Sequence, residues 1–140
     1  MKKSTTELLK LIEKSSSFSA YAAQAADDFV EKPLHIYLED LLLKKGLKSS
    51  DVIHRCGLHR TYGYDIFSGR RQPSRDKLLA VCFAMELSLD ETQTLLKHTG
   101  YPQLYARIPR DSAILYALDH RMSLMDTNEL LFEMNVPLLQ

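Results

Sequence analysis

The sequence repeats itself at a spacing of 35 residues. DKLLAVCFAMELSLDETQTLLKHTGYPQL (76–104) lies over DSAILYALDHRMSLMDTNELLFEMNVPLL (111–139) when the chain is shifted by that amount. Asp76/Asp111, Ser88/Ser123, Leu89/Leu124, Thr92/Thr127, Leu95/Leu130, Leu96/Leu131, Pro102/Pro137 and Leu104/Leu139 coincide. A shared period implies a shared supersecondary unit. Here it is a helix, a Ser-capped turn, a second helix and an x-Pro stop. Two copies are too few for a solenoid, which needs a run of stacked neighbours. The second copy is therefore expected as an extra helical hairpin on a core that contains the first.

Glycine and proline fall between apolar-periodic segments, and no stretch alternates with period two for long, so the chain is predicted all-α. A first helix is expected over 4–13, opened by the capping box Ser4-x-x-Glu7 and given an apolar side by Leu8, Leu9, Leu11 and Ile12. SSS (15–17) ends it, an alanine-rich helix follows over 18–30, and Pro33 closes an N-terminal arm, 1–33. A third helix, 35–46, turns Ile36, Leu38, Leu41 and Leu42 inward and stops at Gly46. Short helices near 49–56 and 59–68 come next, then helices over 75–86 and 88–100. A loop holding Pro102 and Pro109 leads to helices near 112–121 and 124–134.

With 45% hydrophobic and 26% charged residues, 140 residues form one ordinary globular domain with appendages. The longest apolar run, LLAVCFAM (78–85), reaches about 12 Å as a helix, far short of a bilayer, so no membrane partner is expected. TTELLKLIEK, after the basic start, carries four charges and is no signal-peptide core. Two cysteines, Cys56 and Cys82, make no secreted disulfide framework, which points to the cytoplasm. Net charge is zero, yet Lys44 to Leu79 holds nine basic residues against Asp51, Asp65 and Asp76. That segment is +6 and the remainder −6. A basic middle on an otherwise acidic chain is the footprint of a nucleic-acid face.

Within that middle, GLKSSDVIHRCGLHRTYGYDIFSGRRQPS (46–74) carries the landmarks Gly46-Leu47, Asp51-Val52, Gly57-Leu58, Ile66, Gly69, Arg71 and Pro73-Ser74, with Leu87-Ser88-Leu89-Asp90-Glu91 beyond. It resembles the helix-turn-helix of the lambda-repressor-like family, also called the Cro/CI or Xre family, whose five-helix order fits Tyr37 through Leu96. The resemblance covers about 60 residues and implies a core over 34–100. The arm and the C-terminal hairpin, 101–140, lie outside it and look like parts of small bacterial or phage-derived regulators. Gly57 lets the chain reverse between two short helices. Val52, Cys56, Leu58 and Ile66 are expected to fill the angle. In the resembling pattern site 63 carries Ile or Val and site 53 Ala; here Gly63 faces Ile53. That exchange keeps the elbow's volume.

The resemblance implies double-stranded DNA as partner, with helix 59–68 in the major groove. His59, Arg60, Thr61, Tyr64, Asp65 and Ser68 are expected outward. Arg60 suits guanine, and His59 and Thr61 suit bases or phosphates. Tyr62 and Tyr64 suit sugar or a thymine methyl. Asp65 would repel phosphate unless it accepts from a cytosine amino group or pairs with Arg60 or Arg70. Ser49 replaces the family's usual glutamine and shortens one contact. Ser50, Arg70, Arg71 and Arg75 are expected on phosphates, fixing register rather than sequence.

His54, Cys56 and His59 lack the second pair of ligands a zinc site needs. With no phosphate-cradling loop, nucleophile elbow or paired carboxylates, neither an enzyme nor a metal or other cofactor is expected. The C-terminal hairpin carries more apolar residues than it can bury against itself, from Ile114 to Leu139. They either cover the core or form a homodimer face. Tyr101, Tyr105 and Tyr116 are assigned to the same seam. A second functional reading is a protein-interaction adaptor or antitoxin-like partner that engages another protein through the arm or hairpin.

Overall fold

The computed structural model describes residues 3–25 and 32–140, all helix and connection without a strand among them. The helices are α1 (Thr5–Lys14), α2 (Phe18–Ala25), α3 (Leu34–Lys45), α4 (Ser49–Arg55), α5 (Arg60–Ser68), α6 (Arg75–Ala84), α7 (Leu89–His98), α8 (Pro109–Asp119) and α9 (Leu124–Glu133). The chain forms two compact units, Met1–Glu31 and Lys32–Gln140. The expected second helix extends beyond Ala25 into residues outside those described.

In the first unit, α1 starts on the expected capping box. Ser4 Oγ accepts from the Glu7 N–H at 3.1 Å, and the Glu7 carboxylate accepts from the Ser4 N–H at 3.5 Å. No residue of α1 is buried, and Leu9 and Ile12 are half exposed.

The second unit is built around α6. Its residues Leu78 through Ala84 are all buried, so this helix is apolar on every side and central. Against it pack Leu34 and Leu38 of α3, Val52 of α4, Ile66 of α5, Leu95 and Leu96 of α7, Ile114 and Leu118 of α8 and Leu131 of α9. Ile36, expected inward, is on the surface instead. Leu34 and Leu38, one helical turn apart, set the buried stripe of α3, and residue 36 lies about 200° around the helix from the first. Pro109 is not loop either: it is the first residue of α8, where a missing N–H leaves no helical bond unmade.

The 35-residue repeat is present in the backbone. Glu86 and Arg121 both take left-handed φ values, 55° and 56°, at the ends of α6 and α8. Ser88 and Ser123 cap α7 and α9 through their hydroxyls. The Gln93 side-chain amide closes a two-way bond with the Leu104 backbone at 2.9 and 2.8 Å, and Asn128 does the same with Leu139 at 3.3 and 2.8 Å.

The two copies also hold each other. Arg75, opening α6, donates to both carboxylate oxygens of Asp111 at 3.2 and 2.6 Å. Arg110, opening the other copy, donates to both oxygens of Asp76 at 3.0 and 3.1 Å. Shifting either pair by 35 positions and exchanging copies generates the other. The hairpins are therefore related by an approximate two-fold axis inside one chain, the self-complementary contact of a symmetric dimer. The apolar surplus of α8–α9 is largely spent on this core, and Met125 and Phe132 stay exposed.

Candidate nucleic-acid interface

The α4–α5 elbow turns at Gly57, whose φ of 68° is reached by glycine without strain. Val52, Ile53, Cys56, Gly63 and Ile66 are buried in the elbow region. Ile53 lies directly on Gly63. A Cβ at residue 63 would stand 2.6 Å from Ile53 Cγ2 and 2.9 Å from Cγ1. The expected contact of Ile53 with Gly63 across the elbow is thus present. Cys56 is a core thiol that donates to the Ile53 carbonyl at 3.3 Å, and burial pushes its pKa up.

With one side of α5 taken by Gly63 and Ile66, the opposite side carries Arg60, Thr61, Tyr64 and Ser68, all exposed. They follow helical spacing and share a face. His59 precedes the helix instead of belonging to it. Its Nδ1 accepts from the Thr61 N–H at 3.3 Å, which caps α5 and requires the imidazole proton on Nε2. The Ser68 hydroxyl donates to the Asp65 carbonyl at 3.3 Å. That carbonyl also accepts from the Arg70 and Arg71 N–H groups at 2.9 and 3.1 Å, which draws the chain after α5 back under the helix.

Cations and rings are interleaved along this surface. The Arg60 guanidinium lies 5.7 Å from the Tyr64 ring. Arg71 and Lys77 approach the Tyr62 ring at 5.0 and 5.1 Å. Such contacts hold a long cation in place while leaving its N–H groups free to donate. Among the described residues, no carboxylate is within ion-pair distance of Arg60, Arg70 or Arg71, so Asp65 is paired with neither Arg60 nor Arg70. Asp65 itself is half buried; Ser49 is half buried at the start of α4, and Ser50 is exposed beside it.

Arg75 departs from its expected place. Its guanidinium is engaged by Asp111 and by the Pro102 and Gln103 carbonyls, so it ties the two hairpins instead of facing outward. Lys77, by contrast, joins the interleaved surface without having been selected by motif position. Its legible signal was its place in the first turn of α6, after the basic pair Arg70-Arg71. Tyr101 is a support behind the same surface. Its hydroxyl donates to the Pro73 carbonyl at 2.6 Å, and burial, then Tyr62, raise its pKa against a hydrogen bond to Gln72. Tyr105 and Tyr116 are more than half exposed and do not fill the hairpin seam. Tyr116 stacks on His120 with ring centroids 3.9 Å apart.

Among the described residues, no group of three or more His, Cys, Asp or Glu is placed to hold a metal ion, and no helix is long and apolar enough to cross a membrane. The chemistry this surface offers is hydrogen-bond donation from fixed planar cations beside aromatic faces, which suits a polyanion carrying flat rings. In comparisons with known proteins, the chain matches no family model, no curated protein and no solved structure.

Proposed function

We propose that this chain is a sequence-specific DNA-binding transcriptional regulator of the lambda-repressor-like kind, with α5 in the major groove. The observation that carries the reading is the contrast among its arginines. Arg75 and Arg110 are consumed by carboxylates, whereas Arg60 and Arg71 lie over tyrosine rings and form no ion pair among the described residues. The first turn of α5 presents Arg60 and Thr61, the positions from which such a helix reaches base edges. Arg70, Arg71 and Lys77 flank it as phosphate contacts, with Ser50 at the start of α4.

The test is selection from pooled random-sequence duplexes with the purified protein, titrated across salt. A motif should emerge, and affinity should fall steeply with salt. Arg60→Ala should cost about 1–3 kcal/mol and relax one base position, whereas Arg71→Ala should weaken binding uniformly and lower the salt slope by about 1. Flat or salt-insensitive binding would sink the reading. Weight would then pass to the adaptor alternative, which the exposed Met125 and Phe132 favour.

A further inference from the structure

A groove of about 690 Å³ opens where the ends of α6 and α8 meet the start of α9. Its size falls within the range of small-molecule clefts. Phe83, Leu118, Met122 and Leu124 supply apolar lining, and the charged groups are Arg55, Arg121 and Glu86.

The repeat provides an internal reference for what the fold requires at this place. Glu86 and Arg121 are equivalent residues in the same left-handed turn, and Asp90 and Met125 are equivalent residues in the first turn of α7 and α9. Both versions fold the same way, so neither pair of residues is dictated by the backbone. Where the first copy carries two carboxylates, the second carries a guanidinium and a thioether. Glu86 lines the groove together with Arg121, so this pair adds no net charge; Met125 adds apolar surface, and the surplus cation is Arg55.

Arg55 adds a second cation from the end of α4. One of its nitrogens donates to the Ala84 carbonyl at 3.4 Å, which anchors the side chain and leaves its other N–H groups for a ligand. Arg121 forms no ion pair among the described residues. Two guanidinium groups and one carboxylate beside an apolar floor complement one anionic head with an apolar body. Guanidinium matches a carboxylate in a two-point fork.

We propose that this groove binds a small single-chain carboxylate amphiphile, its head held by Arg55 and Arg121 and its chain laid along Phe83, Leu118, Met122 and Leu124. The site is separate from the α5 surface, and its test involves no DNA. The full chain is titrated calorimetrically with dodecanoate below the concentration at which that probe aggregates. Amide chemical shifts are mapped in parallel, with dodecyltrimethylammonium and acetate as comparison probes. Saturable one-to-one binding of dodecanoate is expected, with shifts at Phe83 and Met122. Dodecyltrimethylammonium and acetate should each bind at least about tenfold more weakly, because one lacks the charge-assisted hydrogen bonds and the other the chain.

Arg55 and Arg121 are exposed, so the double variant Arg55→Gln/Arg121→Gln keeps the fold and should weaken dodecanoate by a similar factor. Leu124→Glu should abolish binding. Equal or tighter binding of the cationic amphiphile, shifts that avoid the groove, or an unchanged affinity in the double variant would each overturn the proposal. So would an absence of dodecanoate binding to the unaltered chain.

Discussion

In the α4–α5 elbow a glycine lies under an isoleucine, and Arg60 at the start of α5 is exposed, as are Arg70 and Arg71 beyond its end. In the paired hairpins α6–α7 and α8–α9, two arginines point inward to carboxylates, and two amide side chains close onto backbone. Both regions place helices at defined angles, but the elbow does so by matching volume and the hairpins by matching charge and hydrogen bonds. The consequence for function is direct. A guanidinium used to hold two copies together, as in Arg75, has few donors left for a partner, whereas Arg60 and Arg71 keep theirs. The basic middle of the chain therefore contains two populations of cation that no charge count separates.

The largest effect should come from unpairing the more deeply buried of the two ionic ties. The Asp111 side chain is 3% exposed and that of Asp76 is 33% exposed. Arg75→Ala strands a buried carboxylate and should destabilise by about 3–5 kcal/mol in urea unfolding. Arg110→Ala leaves Asp76 able to hydrate and should cost about 1–2 kcal/mol. Equal losses would break the argument that burial separates the two ties.

The same pair sets an acid limb. Burial raises the Asp111 carboxyl, but hydrogen bonds from Arg75 and the Tyr105 N–H, with the charges of Arg75 and Arg110, outweigh it and leave the pKa below the ordinary value. A group depressed on folding contributes its full stability above its unfolded pKa, about 3.9. That contribution is lost as pH falls through the lower folded value. Stability measured downward from pH 5 should drop in the native protein, and Asp111→Asn should flatten the drop. An unchanged acid limb in that variant would show that another group controls it.

The elbow should respond to volume instead. Gly63→Ala drives a methyl into Ile53 and should destabilise by about 1–3 kcal/mol, set against about 1 kcal/mol gained in helix propensity. Ile53→Ala in the same chain should recover most of the loss, so the double-mutant cycle is strongly non-additive. Additive losses would mean that the two residues are not in the contact described. For the hairpins, Gln93→Ala and Asn128→Ala each remove a two-way bond from equivalent backbone and should each cost about 1–2 kcal/mol. Markedly unequal values would show that the two copies share geometry without sharing energetics. The smallest change is expected for Lys77→Ala. If it faces phosphate beside Tyr62, affinity for every duplex should fall alike and the salt slope should drop by about 1.

Much of this protein was legible from the chain because the signals are local. Ser4, Ser88 and Ser123 cap helices through residues three positions away, and the apolar spacing marks each helix within a few turns. The match of Ile53 with Gly63 was readable only through the resemblance, whose pattern pairs those two sites across the turn. The duplication was readable as identity at a fixed shift, although the arginine before each aspartate, Arg75 and Arg110, lay just outside the aligned stretch.

Amino-acid order alone thus determined helix, cap and turn, which depend on backbone hydrogen bonds and side-chain periodicity within about ten residues. Tertiary structure alone decided that Arg75 reaches Asp111, 36 residues away, that Ile36 faces solvent, and that Lys77 joins Arg71 on one ring. A charge or an apolar side chain carries no mark of its partner. That choice falls to whatever the packing of α6 against its neighbours brings within about 4 Å, where Coulomb attraction and desolvation become decisive.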